Sequence, residues 1–250
     1  MTANRPTAAY FDTWYADMAV SPARDAIIAR TLGLPPELEF AGTLPWQGIA
    51  AMIEALRLPP HGLLLDLACG RGGYGIEIAR RTGAHLIGVD FSAVAVRAAT
   101  AMSARLLPGG RTEFRLGTLT ATGLPAGEAD ALMCVDAVQF AEPPLAALTE
   151  FRRLLAPGGR LALTCWEAVD DRAPARIREV DLRRDLPLAG FADVQVHDMP
   201  DWRAAERTMW EQALAADGTD AAVRSLQEEG RSSLAAFDAL RRVFATATAP

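Results

Sequence analysis

Residues 63–75 are the most informative part of this chain, and they read Leu63-Leu-Leu-Asp66-Leu-Ala-Cys69-Gly70-Arg71-Gly72-Gly73-Tyr74-Gly75. The apolar beginning predicts a strand that is buried on both faces, as in a parallel sheet. The glycines predict a tight turn that opens a helix. Gly70, Gly72 and Gly75 satisfy the GxGxxG pattern of dinucleotide binding, which is weak evidence when it stands alone.

The charge of Asp66, near the end of this strand, helps to choose the ligand. A dinucleotide brings a doubly charged pyrophosphate to the glycine turn, and an unpaired carboxylate would repel it. S-adenosylmethionine (SAM) brings a cationic amino group and a sulfonium, which the carboxylate attracts. We therefore expect SAM, with two alternatives open: an NAD-dependent oxidoreductase, or an Asp66 that caps the turn without a ligand.

Strand and helix patterns alternate after residue 60, which predicts a parallel, doubly wound sheet. The predicted strands are residues 63–68, 85–89, 112–116, 131–135, 160–165 and 194–197, with a weak last strand at 244–248. Helices are predicted at residues 75–81, 93–107, 144–155 and 173–186, and within 201–216 and 219–242.

Composition excludes several classes of protein. The chain has 250 residues, 25 basic and 31 acidic, and a net charge of −6 without a basic run, so we expect no nucleic-acid partner. Every basic residue is Arg, which excludes a Schiff-base lysine, a phosphate-loop lysine and a Tyr-Lys proton relay.

Targeting and metal signals are also missing from the sequence. The three Cys and three His residues are scattered, so we expect neither a disulfide framework nor a metal site. The chain shows no signal peptide and no apolar run of the ~20 residues that span a bilayer, and we expect a soluble, cytoplasmic protein without a membrane partner. Its oligomeric state cannot be predicted.

The second predicted strand ends in Asp90, followed by Phe91 and Ser92. An acid at the tip of strand two can accept hydrogen bonds from both hydroxyls of a ribose. Asp90 therefore supports nucleoside binding without separating SAM from NAD. Phe91 can pack on adenine or serve as a core aromatic residue.

Three segments together resemble the class I SAM-dependent methyltransferase family, of the small-molecule or natural-product type. They are Asp66-Leu-Ala-Cys-Gly-Arg-Gly72, Gly88-Val-Asp-Phe-Ser92 and Leu154-Leu-Ala-Pro-Gly-Gly-Arg-Leu161. The resemblance covers residues 63–166. It implies an α/β, Rossmann-like three-layer sandwich with a seven-stranded, mostly parallel sheet of order 3-2-1-4-5-7-6, whose strand seven is antiparallel. It also implies one domain over residues 1–250: a helical lid (1–60), a SAM-binding core (61–200) and a helical insertion before the last strand (201–243).

The resemblance also implies a set of cofactor-binding residues. These are Asp66, Ala68, Cys69, Gly70, Arg71, Gly72, Asp90, Phe91, Ser92, Gly117, Thr118, Leu119 and Asp136. In this set Asp90 would hold the ribose, and Arg71 would approach the methionine carboxylate. The chain departs from the family twice: Ala68 replaces a glycine, and Thr118 replaces an acid that contacts adenine.

The methyl acceptor is expected above the carboxyl ends of the strands, beneath the lid. Trp14, Tyr15, Gln139 and Trp166 are candidate substrate contacts, and Trp46, Trp202, Met209 and Trp210 are further apolar candidates. His197 and Asp136 are weak candidates for a general base. We expect methyl transfer from SAM, with S-adenosylhomocysteine (SAH) as product, to a small molecule such as a secondary metabolite. A protein of this fold that binds SAM without methylating, such as a cyclase, is the other alternative. The sequence does not give the acceptor or the atom methylated.

Overall fold

Residues 6–250 are described by a computed structural model of the chain. They contain a seven-stranded sheet, made of β1 (Leu63–Leu67), β2 (His85–Asp90), β3 (Thr112–Leu116), β4 (Ala129–Val135), β5 (Leu155–Ala168), β6 (Ala192–Asp198) and β7 (Leu240–Thr248). Their order in the sheet is β3-β2-β1-β4-β5-β7-β6. The predicted Rossmann-like order is confirmed.

The direction of each strand positions the ligand-binding edge. β1 to β5 pair in parallel, whereas β7 is antiparallel to both β5 and β6. The predicted reversal of the last strand is therefore confirmed. Because β1, β2 and β4 run in the same direction, their carboxyl ends meet at one edge of the sheet, where ligands collect in such folds.

Ten α-helices surround the sheet within residues 6–250. They are α1 (Ala8–Ala19), α2 (Pro22–Leu32), α3 (Trp46–Leu56), α4 (Gly73–Thr82), α5 (Ala93–Leu106), α6 (Pro144–Leu154), α7 (Ala175–Arg178), α8 (Leu182–Leu188), α9 (Pro200–Ala215) and α10 (Ala221–Ala236). Short 3₁₀ turns lie at Val138–Phe140 and Phe237–Ala239.

Two predicted helical stretches differ from the structure. The helix predicted over residues 173–186 is divided into α7 and α8, because the side chain of Asp181 accepts the Arg184 N–H and starts a new helix. The region predicted as helical over 219–242 ends at Ala236, and residues 240–242 pair with residues 166–168 of β5 instead. Pairing in the sheet overrides the local helix propensity of these last residues.

Apolar residues pack on both faces of the sheet. α3, α4 and α9 cover one face, and Ile49, Met52 and Met209 are fully buried there. α6 and α8 cover the other face through residues such as Phe151 and Leu186. α3, which the sequence placed in the lid, therefore belongs to the core layer. Among residues 6–250, no helix combines the length and apolar character needed to cross a membrane.

Candidate functional site

A cavity of about 750 Å³ lies at the carboxyl edge of the sheet. It is lined by the loops after β1, β2, β3 and β4, by α1, which covers the glycine turn after β1, and by residues of α9 and α10. Its size falls within the range of small-molecule sites.

The glycine turn after β1 has the backbone shape that its sequence predicted. Gly70 and Gly72 have φ angles of 54° and 84°, in the left-handed region that glycine tolerates. A Cβ on Gly75 would lie 2.5 Å from Asp66 Oδ2, so only glycine at this position lets the carboxylate lie against the start of α4. Ala68 also has a positive φ of 57°, a conformation that favours glycine.

Two buried carboxylates lie at the glycine-turn end of the cavity. Asp66 and Asp90 line the cavity, and each is only 3% exposed. Burial raises the pKa of Asp66 to about 7, and the negative charge of Asp90 adds to the shift. Asp90 accepts the N–H groups of Gly70 and Ser92, both at 2.9 Å, while burial raises its pKa as well. Such a pair favours a ligand that brings positive charge or hydroxyl donors.

The charged residues that line the cavity distinguish between a dinucleotide and SAM as the cofactor. Its acidic lining residues are Asp66, Asp90, Asp136, Glu142, Glu206, Glu228 and Glu229, whereas Arg176 is the basic lining residue within 6–250. A pyrophosphate would lie among carboxylates without a matching cluster of cations, and the dinucleotide alternative does not fit. The amino group, sulfonium and ribose hydroxyls of SAM fit this lining.

Most of the predicted site residues meet in this cavity. Those that line it are Trp14, Tyr15, Asp66, Ala68, Cys69, Asp90, Phe91, Gly117, Thr118, Leu119, Asp136, Gln139 and Trp166. They come from α1, from strands β1, β2 and β5, and from the loops after β1 to β4, so strand topology brings them together from distant parts of the sequence.

Gly70, Arg71, Gly72 and Ser92 do not line the cavity, although the sequence predicted cofactor contacts for them. A Cβ on Gly70 would lie 2.9 Å from the Tyr15 hydroxyl, so α1 covers this glycine. Gly72 faces inward, where a Cβ would lie 3.0 Å from Ala99.

Arg71 is the clearest correction among these residues. Its guanidinium is buried and donates two hydrogen bonds to Asp25, at 2.7 and 2.8 Å, and further ones to Glu39 and the Phe40 carbonyl. These bonds hold its guanidinium against residues 25–40, and Arg71 does not line the cavity.

Ser92 and Asp136 also hold the N-terminal segment. The Ser92 hydroxyl donates to Asp12 at 2.5 Å and caps α5. Asp136 Oδ2 accepts the N–H of Thr43 at 2.9 Å and its hydroxyl at 3.2 Å. Residues that the sequence assigned to the cofactor thus also anchor residues 12–43 over the glycine turn.

Asp136 joins a buried charge cluster that the sequence did not reveal. Arg242 on β7 is fully buried, forms an ion pair with Asp136 Oδ1, and lies 4.0 Å from Glu206 Oε2 on α9. One guanidinium group is thus shared between two carboxyl groups. Thr164 donates a further hydrogen bond to Asp136 Oδ1, at 2.6 Å. Asp136 is held by so many partners that its weak candidacy as a base loses support.

Glu206 is a buried acid in the cavity wall with a raised pKa. It is 3% exposed and lines the cavity wall, and its Oε1 accepts the Trp210 indole N–H at 3.1 Å. Burial raises the pKa of Glu206 to about 8, although the positive charge of Arg242 acts in the opposite direction. A pKa this close to neutral is typical of a carboxyl group that exchanges protons or binds a cation.

His197 does not belong to the site. It lies on β6, at the edge of the sheet, and its exposed ring is 3.2 Å from Gln195 Oε1. Val196 between them is buried, so strand alternation directs His197 to solvent. His197 does not line the cavity, and the structure gives no support to its candidacy as a general base.

The other apolar candidates divide between the cavity and the core. Trp210 lines the cavity, whereas Trp202 and Met209 pack in the core. Trp46 packs beside that core, under the guanidinium of Arg81.

One signal in the sequence points to Glu206. Trp202, Glu206 and Trp210 are spaced four residues apart, so they share one face of α9. An acid between two tryptophans on a buried helical face is rarely left there without a partner or a function. Arg242 gave no such signal, because residues 240–242 were predicted as helix.

Metal-binding residues are not clustered in the part of the chain that the structure describes. No group of three or more His, Cys, Asp and Glu residues within 6–250 is placed to hold a metal ion. Cys69, Cys134 and Cys165 are free and buried.

Comparisons with known proteins identify relatives of the core and of the whole fold. Residues 64–159 match a family model described as a methyltransferase domain. A ubiquinone/menaquinone biosynthesis C-methyltransferase of Syntrophotalea carbinolica is 33% identical over 171 residues, which cover 68% of this chain and 70% of the relative. Other curated relatives are longer proteins, and the match covers only 32% and 40% of the length of two of them.

Solved structures extend the likeness to nearly the full length of this chain. Haemonchus contortus phosphoethanolamine N-methyltransferase 2, in complex with phosphomonomethylethanolamine and SAH, has a TM-score of 0.75 at 17% identity, over 96% of this chain and 60% of that one. The cyclase SpnF has a TM-score of 0.71 at 22% identity, over 98% of this chain and 97% of that one. At these identities the likeness shows the fold.

Proposed function

Since this chain belongs to the family of class I SAM-dependent methyltransferases, we propose that it binds SAM at the glycine-turn end of its cavity and methylates a small molecule at the other end. The observation that carries this proposal is one continuous cavity, lined by Asp66 and Asp90 at one end and by α9 and α10 at the other. Bound SAM would supply a methyl group that its positively charged sulfur has already activated.

The chain's own residues would bind, orient and exclude water. Asp90 would accept the ribose hydroxyls, and Asp66 would offset the positive charge of the methionine end, since both carboxylates are buried in the cavity wall. Phe91 and Thr118 line the part of the cavity next to β2 and β3, where adenine is expected. Residues 6–43, α9 and α10 would act as a lid, because closure strengthens the electrostatic contacts beneath them.

A small acceptor suits this enclosed cavity better than a macromolecule does. The excess of lining carboxylates supports the expectation that nucleic acid does not bind. A secondary metabolite, the cytoplasmic location and the lid role of the terminal helices remain predictions.

Calorimetric titration with SAM, SAH and NADH tests the proposal. We expect SAM and SAH to bind and NADH not to bind. Incubation with methyl-labelled SAM and a panel of small acceptors would then reveal transfer. Failure to bind both SAM and SAH would refute the proposal. Tight binding without transfer to any acceptor would favour a non-methylating function, such as the cyclase activity for which the structural neighbour SpnF is named.

A further inference from the structure

The helical insertion contributes an acidic wall to the cavity. Glu206 comes from α9, and Glu228 and Glu229 come from α10. Partial burial and the negative charges of Glu229 and Glu228 raise the pKa of the Tyr10 phenol, which places these two acids close to α1. This wall belongs to α9 and α10, whereas Asp66 and Asp90, which the proposed SAM site uses, belong to β1 and β2.

Two buried hydrogen-bond acceptors on the cavity wall lack partners within residues 6–250. Glu206 Oε2 and Gln139 Oε1 make no hydrogen bond of normal geometry, although the Thr43 hydroxyl lies near enough to the Glu206 carboxyl group to act on its pKa, and the two residues are 3% and 5% exposed. The amide nitrogen of Gln139 is already used, because it donates to the Asp136 carbonyl at 2.7 Å. A buried acceptor without a donor is costly, and both atoms would be satisfied by a ligand that brings N–H groups.

The nearby guanidinium of Arg242 does not supply the missing hydrogen-bond donor. Arg242 Nη1 is 4.0 Å from Glu206 Oε2, beyond hydrogen-bond distance, and the same guanidinium pairs with Asp136. Arg176, the basic residue of the lining within 6–250, stacks over the Phe140 ring at 5.4 Å and, together with Arg24, offsets part of the negative charge of Glu229. An anionic acceptor would therefore meet more carboxylates than cations.

Aromatic side chains form the apolar part of the same end. Trp166, Trp210 and Phe237 line the cavity, and the rings of Trp166 and Phe237 are 5.7 Å apart in an edge-to-face contact. They offer an apolar surface next to the Glu206 carboxylate. This combination suits a molecule with one positive group and an apolar body.

Building on the proposed function, we propose that the methyl acceptor is an organic amine, bound with its ammonium group at Glu206, beside Gln139, and its apolar body against Trp166, Trp210 and Phe237. A protonated nitrogen has no free lone pair and cannot accept a methyl group. One N–H proton therefore passes to the Glu206 carboxylate, which leaves the amine neutral and Glu206 as the carboxylic acid.

Three probes with the same ring test the charge preference: tryptamine (cation), tryptophol (neutral) and indole-3-propionate (anion). Each is titrated calorimetrically into the full chain saturated with SAH at about pH 9, where the Glu206 carboxyl group is ionised and tryptamine is still a cation. We expect tryptamine to bind about tenfold more tightly than tryptophol, as one charge-assisted hydrogen bond would give, and indole-3-propionate to bind most weakly. Equal binding of tryptamine and tryptophol, tighter binding of the anion, or no binding of tryptamine at millimolar concentration would overturn the proposal.

Variants assign the preference to the cavity wall. Glu206→Gln should reduce the preference for tryptamine over tryptophol to within about twofold. Glu211→Gln, which removes the same charge from an exposed position of α9, should leave this preference unchanged. The double variant Glu228→Gln, Glu229→Gln provides a second test if Glu206→Gln does not fold, and should lower the preference in part. A preference that survives both changes would refute the proposal.

SAH titration of each protein separates the two proposals. If SAH does not bind the wild-type chain, the proposed function fails. If SAH binds normally while the three indoles show no charge preference, only the amine proposal fails.

Discussion

The two ends of the cavity are built from different kinds of sequence. The glycine-turn end comes from short motifs, in which Asp66, Gly75 and Asp90 have identities that the local backbone and the ligand require. The helical end comes from Glu206 and Arg242, which lie 36 residues apart in sequence numbering and meet only because β7 packs under α9. Local motifs can be recognised in one sequence, whereas a buried charge cluster assembled by tertiary contacts cannot.

Replacing Arg242 should produce the largest effect and tests the helical end. Arg242→Met leaves the buried carboxylates of Asp136 and Glu206 without their cation. Breaking a buried ion pair by removing one partner typically costs about 3–5 kcal/mol, and we expect a loss of this size in the free energy of unfolding. Urea unfolding at neutral pH measures it.

Arg241→Met is the matched control on the same strand. Arg241 pairs with the single carboxylate of Glu167, its side chain is 38% exposed, and Glu167 keeps the Leu182 N–H as a partner, so we expect the loss of Arg241 to cost less, about 1 kcal/mol. Equal losses in the two variants would mean that the Asp136–Arg242–Glu206 cluster is not the special feature of this end.

Replacing Asp90 tests the glycine-turn end. Asp90→Ala removes a carboxylate that lines the cavity and also accepts the Gly70 and Ser92 N–H groups. In the proposed complex the Asp90 carboxylate accepts two hydrogen bonds from the ribose hydroxyls of SAH. Their loss should weaken SAH binding about 100-fold in calorimetric titration. Asp198→Ala, at the exposed end of β6, should leave the affinity unchanged. An unchanged affinity in Asp90→Ala would remove the ribose contact from the proposed function.

The pH dependence of stability separates Glu206 from ordinary surface acids. Its pKa is about 8 in the folded protein, above the ordinary 4.5, so its contribution to stability is present at low pH and is lost as the pH rises toward 8. Between about pH 6 and 8 the wild type should lose about 2 kcal/mol relative to Glu206→Gln. Urea unfolding across this range measures it, with Glu211→Gln as the control. Parallel pH curves for wild type and Glu206→Gln would contradict the perturbed pKa.

Much of the fold was predictable because its signals are local and repeated. Alternating apolar strands and helices, punctuated by glycine and proline, gave the parallel core, and the family resemblance gave the strand order with a reversed β7. The errors lie where tertiary contacts decide. Residues 240–242 carry no strand pattern strong enough to overcome helix propensity, yet they pair with β5 in the sheet.

The site shows the same division. The motif residues Asp66 and Asp90 reach the cavity, whereas Arg71 follows the charges of Asp25 and Glu39, which no motif connects to it. His197 was chosen because it lies near a strand end. Its distance from the cavity depends on where β6 lies in the sheet, which the histidine itself does not encode.

The smallest predicted effect examines the one residue at which the glycine turn departs from its family. Ala68 has a φ of 57°, a conformation that costs a non-glycine residue about 1–2 kcal/mol. Ala68→Gly should relieve this strain but also increase the conformational freedom of the unfolded chain by about 0.5–1 kcal/mol, so we expect a net gain near 0.5 kcal/mol in urea unfolding. Ala101→Gly, at an exposed position in α5, should destabilise the protein because no strain is relieved there. If both variants lose stability equally, the strain at position 68 does not explain the family's glycine, and contact with the ligand becomes the better reason for it.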